Sequence, residues 1–153
     1  MLSSVNEMHS IQLRDIFISR LSIQINDAKT AHDYAGEVEL SLQIGTSKLV
    51  EGEGHIGVGI LANVTPKTSE SESTPAFVVD VELNGQFTVD LNTFKFENLE
   101  RWSKVNAPFL LLPYVREQVY GLAIRAGVKG LIFPLFVQPG SIRKENDLAV
   151  GNE

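Results

Sequence analysis

Four stretches of the chain alternate apolar and polar residues with period two, the rhythm of a strand buried on one face. From Ile11 to Ile25 the odd positions read Ile11, Leu13, Asp15, Phe17, Ser19, Leu21, Ile23 and Ile25, while the even ones are polar except Ile16 and Ile18. "EVELSLQI" sets Val38, Leu40, Leu42 and Ile44 on one face. A third run, from about Val50 to Val64, aligns Ile56, Val58, Ile60, Ala62 and Val64. A fourth, from about Ala76 to Val89, aligns Phe77, Val79, Val81, Leu83, Phe87 and Val89, with Asp80, Glu82 and Asn84 opposite. Gly85 interrupts that row and reads as a bulge. "NDAKTAHDYAG" reads as a polar connector and "GTSK" as a turn. "TPKTSESESTP" is bounded by proline and holds no large apolar residue, so it reads as an exposed, mobile hairpin tip.

The period then changes. Placing Val115 at zero and advancing 100° per residue brings Val119, Leu122 and Ala126 to within about 40° of it, the stripe of a helix packed on a sheet. Pro113 reads as the start of that helix, because a first-turn residue needs no N–H partner. "NAPFLLL" is then an apolar lead-in, and Gly127 ends the helix in the left-handed position. Residues 90–105, with Phe94, Phe96, Leu99 and Trp102, read as a short helix or an irregular crossover. "VKGLIFPLFVQP" is apolar and broken by Pro134 and Pro139, and "SIRKENDLAVGNE" reads as a polar tail. Strands followed by helices predict an α+β fold, a four-stranded antiparallel sheet with helices packed on one face. The 153 residues suggest one domain, residues 10–140, between a flexible N-terminus (1–9) and a polar C-terminal tail (141–153).

The helix is apolar twice. Tyr120 and Ile124, with Gly121 beside them, lie opposite the Val115 stripe. One sheet covers one face, so the second needs the "LIFPLFV" segment folded back or a partner subunit. Tyr120, Gly121 and Ile124 are accordingly the expected oligomer interface.

Composition narrows the chemistry. There is no cysteine, which excludes disulfides, thiolate metal sites and cysteine nucleophiles. Thirteen basic and nineteen acidic residues give a formal charge of −6, unsuited to binding a phosphate backbone. No apolar run reaches the ~20 residues that span a bilayer, and "MLSSVNEMHS" is no signal peptide, so a cytoplasmic protein is expected, without membrane insertion or nucleic acid. "GEGHIG" matches G-x-G-x-x-G at Gly52, Gly54 and Gly57, yet it runs into a strand where a dinucleotide site requires a helix. Glu51, Glu53 and His55 would share one strand face, where they could hold a metal ion or form a solvated polar face. His9, His32 and His55 are scattered, no nucleophile elbow is present, and no carboxylate pair stands out. No catalytic residue, metal or cofactor is expected.

"FLLLPYVREQVYGLAIRAG", with Pro113, Tyr114, Arg116 and Glu117 after four strands, resembles the SecB family of export chaperones. "LIFPLFV" looks like that family's apolar segment between two helices, and "IQLRDIFISRLSIQI" and "AFVVDVELNGQF" resemble its first and fourth strands. The resemblance spans roughly residues 11–139. It implies a homotetramer, a dimer of dimers with the long helices at the interface. It also implies ATP-independent binding of unfolded or nascent polypeptides in apolar grooves, here at Tyr34, Val38, Leu40, Leu42, Leu99 and Trp102. The SecA motor docks on the family's exposed sheet face. Val78 and Asp80 fit that role, while the first strand carries Arg20 and Gln24 where the family is acidic. The second long helix of the family is short or absent from the tail. Three readings stay open: a general holding chaperone, a dedicated partner of one client such as an antitoxin, or a protein with this fold and another binding role.

Overall fold

The computed structural model describes residues 7–67 and 74–136. The predicted hairpin tip lies largely outside the described residues, and so do residues 1–6 and the polar tail. The strands are β1 (Ile11–Ile25), β2 (Ala35–Thr46), β3 (His55–Pro66), β4 (Phe77–Val89) and a short β5 (Gly130–Ile132). The helices are α1 (Ala28–Asp33), α2 (Leu99–Val105) after a single 3₁₀ turn, and α3 (Ala107–Arg125). The sheet has the order β1-β4-β3-β2-β5.

β3 and β4 are the centre and keep an unbroken period of two. Ile56, Val58, Ile60, Ala62 and Val64 of β3, with Phe77, Val79, Val81, Leu83 and Phe87 of β4, are sealed from solvent. They share one core with Leu111, Val115, Val119 and Ala123 of α3. Leu122 and Ala126, expected in the stripe, are half-buried at its edge.

Five expectations change. The sheet is mixed and five-stranded, because β5 pairs in parallel with Ala35–Glu37 at the start of β2. Three residues are too few to show a period, so this strand leaves no sequence signal. Second, β1 does not keep its odd residues inward. Leu13 pairs with Phe87 but Asp15 with Gln86, and Ile18 pairs with Leu83 but Arg20 with Glu82. Arg14 and Ser19 are the extra residues of two bulges, each of which turns the pleat over. Between them Ile16 and Ile18 point to the core side, opposite Gly85 and Leu83, while Asp15 and Phe17 point outward.

Third, Gly85 is no bulge. It stays in register with Ile16 and Val58. A Cβ there would stand 2.7 Å from Cδ2 of Leu111, so the glycine lets α3 seat directly on the sheet. Fourth, α3 begins at Ala107 with Pro108 in its first turn, and Pro113 lies inside the helix. An interior proline costs roughly 3 kcal/mol. Burial of Leu111 and Leu112, at about 1.5–3 kcal/mol each, outweighs that cost. Fifth, β3 begins at His55, so Glu51 and Glu53 sit in the preceding turn and share no strand face with it.

The end of α3 follows expectation. Gly127 has φ +83°, Val128 N–H donates to Ala123 C=O at 2.8 Å, and Gly127 N–H donates to Ile124 C=O at 3.1 Å. These two bonds satisfy the last carbonyls and aim the chain at β5. The connector after β1 holds α1, whose N-cap Asp27 accepts from Thr30 N–H.

Candidate functional site: apolar surfaces at the two sheet edges

β2 has a free edge. β3 pairs with it from Val38 to Thr46, and on the other side β5 covers Ala35–Glu37 alone. Beyond Glu37 the outer backbone of β2 has no strand partner among the described residues. Its inward row loses cover along its length. Val38 is buried, Leu40 and Leu42 are half-buried, and Ile44 is 41 % exposed. An unpaired edge beside a row of aliphatic side chains is a template for another extended chain.

Tyr34 fixes the closed end of this edge. Its ring meets Phe77 edge-on at 5.5 Å. Its hydroxyl donates to the Glu37 carbonyl and accepts from Lys67 N–H at 3.1 Å. Tyr34 therefore ties the start of β2 to the end of β3, as a frame for the groove.

Leu99 and Trp102 are the groove candidates expected in the crossover. Both sit on α2, which packs against β2 and α3, and both are buried. Leu99 is a core residue. Trp102, 7 % exposed, turns to the opposite sheet edge, where its indole meets Phe87 edge-on at 5.2 Å. There it floors a hollow of about 540 Å³ with Leu13, Phe109, Leu110 and Tyr114. Thus the structure places Tyr34, Val38, Leu40 and Leu42 together and Trp102 apart from them. Leu110 and Tyr114 were not foreseen. Their signal was present, since both lie on the far side of α3 from Val115, but a helix start at Pro113 removed Leu110 from the helix.

The outer face of α3 carries the expected interface residues. Ile124 is 60 % exposed, and a Cβ added at Gly121 would meet nothing within 4 Å. Leu110 and Tyr114, 48 % and 41 % exposed, extend this row toward the start of the helix. Tyr120 is different. Its hydroxyl accepts from Phe133 N–H at 3.0 Å, and Arg116 lies over the Phe133 ring at 5.6 Å. The "LIFPLFV" segment folds back over this flank only.

Val78 and Asp80 lie on the outer sheet face, opposite Gln24 and Ser22 of β1. Asp80 accepts from the Asn63 amide at 2.8 Å. Arg20 stands opposite Glu82, so acid and base alternate here. Of the triad considered for metal, Glu53 approaches His55 at 3.6 Å with both side chains exposed. No group of three potential ligands occurs among the described residues. No described helix is long and apolar enough to cross a membrane. Among the described residues two groups titrate off their ordinary values. Bonds from Thr30 lower Asp27, and a bond from Lys104 lowers Glu100. Both are surface caps or pairs, away from the apolar surfaces.

A curled sheet with helices over one face, an open strand edge and exposed aliphatic rows defines a protein that handles other polypeptide chains. The family model of preprotein translocase subunit SecB matches residues 4–137, and the chain belongs to the SecB family of chaperones. A protein-export protein SecB of Nitrosomonas eutropha is 27% identical over 140 residues, which cover 90% of this chain and 85% of that protein. A solved SecB-like chaperone of Mycobacterium tuberculosis, in complex with a ChAD peptide from the HigA1 antitoxin, superposes with a TM-score of 0.66 at 22% identity. That match covers 85% of this chain and 93% of the other, and it confirms the fold.

Proposed function

We propose that the protein holds unfolded or nascent polypeptides without ATP, by adding them as extended segments to the free edge of β2. The observation that carries this reading is the coincidence of unpaired backbone with the row Val38, Leu40, Leu42 and Ile44 (the backbone gives affinity for any extended chain, and the row selects apolar ones). Tyr34 holds the frame of that groove. Trp102 and its hollow form a second contact at the β1 edge. Leu99 supports the surface from the core.

Light scattering tests the reading. The protein, with no nucleotide, should suppress aggregation of an unfolding client, and Ile44→Glu should abolish most of that effect while the melting temperature holds. No suppression by the wild-type protein at severalfold molar excess would sink it.

The outer face of α3 supports a homo-oligomer, a dimer of dimers in which Ile124, Gly121 and Leu110 meet a second copy. Two uses fit this reading: a chaperone coupled to the SecA motor, whose docking would use Val78 and Asp80 beside Arg20 and Glu82, and one serving a dedicated client. A pull-down with SecA separates these uses. Retention that Asp80→Lys abolishes would support the export role.

A further inference from the structure

Two hollows adjoin at the start of β1, and His9 and Gln12 stand between them. The first, about 770 Å³, is bounded by Met8, Arg14, Thr88, Val89, Asp90 and Thr93. The second is the apolar hollow floored by Trp102. His9 lines both. Its ring stacks on the Trp102 indole, centroids 6.4 Å apart and planes 27° apart, and meets Phe94 at 6.5 Å. The segment carrying His9 is tied down at His9 and Ser10. Gln12 Nε2 donates to the His9 carbonyl at 2.8 Å, and Asp90 N–H donates to the Ser10 carbonyl at 2.8 Å. Thr93 Oγ1 donates to Ser10 Oγ at 2.8 Å. Ile11 N–H donates to His9 Nδ1 at 3.0 Å, a half-buried bond that holds the ring. The Gln12 and Thr93 bonds are exposed, where water competes for each partner. Met8 is solvent-exposed and anchors nothing.

We propose that residues 8–10 form a strap whose His9 ring covers Trp102. Lifting the strap joins the two hollows into one groove and presents the indole to an apolar segment of a client. The buried position of Trp102 is then its resting state. The identity of what lifts the strap rests on the chaperone reading above; the cover itself does not. The physical basis is that the stacked imidazole shields the indole and, on lifting, exchanges its hydrogen bond from Ile11 N–H for water.

Trp102 is the single tryptophan, so its fluorescence reports the cover directly. In the full chain, His9→Ala should raise acrylamide quenching severalfold and shift emission to the red. His9→Phe, which restores an aromatic cover, should return both to wild-type values. Unchanged quenching in His9→Ala would overturn the proposal, and so would a loss of cooperative melting in that variant, which would make His9 a structural plug. With reduced, carboxymethylated α-lactalbumin as a permanently unfolded client, His9→Ala should bind severalfold tighter than wild type or His9→Phe. Equal affinities would overturn the gating. Absence of binding by all three proteins would instead remove the chaperone reading, and quenching alone would then decide the cover.

Discussion

The inner and outer faces of α3 are similar in apolar content and opposite in environment. Leu111, Val115, Val119 and Ala123 face the sheet and are sealed. Leu110, Tyr114 and Ile124 face away and stand open. The inner face is specified atom by atom, to the point that β4 carries Gly85 where any Cβ would strike Leu111. The outer face meets no such constraint, since Gly121 has open space. Apolar content thus tells how often a helix expects to be covered. Complementary shape tells which cover the same chain supplies.

Substitutions can break this contrast. Leu111→Ala should have the largest effect, a loss of about 2–5 kcal/mol in urea unfolding, because its cavity lies in a close-packed core. Gly127→Ala should cost about 1–2 kcal/mol by the same measurement, since it forces φ +83° on a residue with a Cβ 2.7 Å from Nε2 of His32. Tyr120→Phe removes one half-buried bond to Phe133 and should cost about 1 kcal/mol, which sharpens how much of the outer face the chain covers for itself. Ile124→Glu should change subunit stability by less than about 0.5 kcal/mol. It should nonetheless lower the mass measured by multi-angle light scattering. An unchanged mass would mean that the outer face is not an interface. The smallest effect is at α1. Hydrogen bonds from Thr30 depress the folded-state pKa of Asp27, so its contribution is present above the ordinary aspartate value and lost as the pH falls. The melting-temperature gap between wild type and Asp27→Ala should therefore narrow in acid.

The same contrast explains what the residue pattern revealed. β4 was legible almost to the residue and β3 in its facing, because both are central and keep period two without interruption, although β3 starts at His55 and not near Val50. β1 was legible as a strand but not in its facing. One inserted residue reverses the parity of all that follow, and nothing in Arg14 or Ser19 announces an insertion. Pro113 misled because local cost was weighed without the burial of Leu111 and Leu112, which only the sheet provides. The row Tyr34, Val38, Leu40 and Leu42 was readable from alternation and resemblance. Its free edge was not, because β5 is three residues long and pairs across nearly the whole chain. The edge to which Trp102 turns was not legible, since an aromatic beside charged residues does not say which edge it faces.

The parallel pairing of β5 with Ala35–Glu37 also orders events in time. A ribosome delivers β2 long before Gly130–Ile132, so the nascent protein carries a β2 edge that is open along its entire length. Closing it requires the longest loop in the fold and must follow the seating of α3. On the function proposed above, a chaperone built this way begins life with the liability it would later use, a bare strand edge in a crowded cell. Its own birth is the first occasion on which that edge must be kept from the wrong partner.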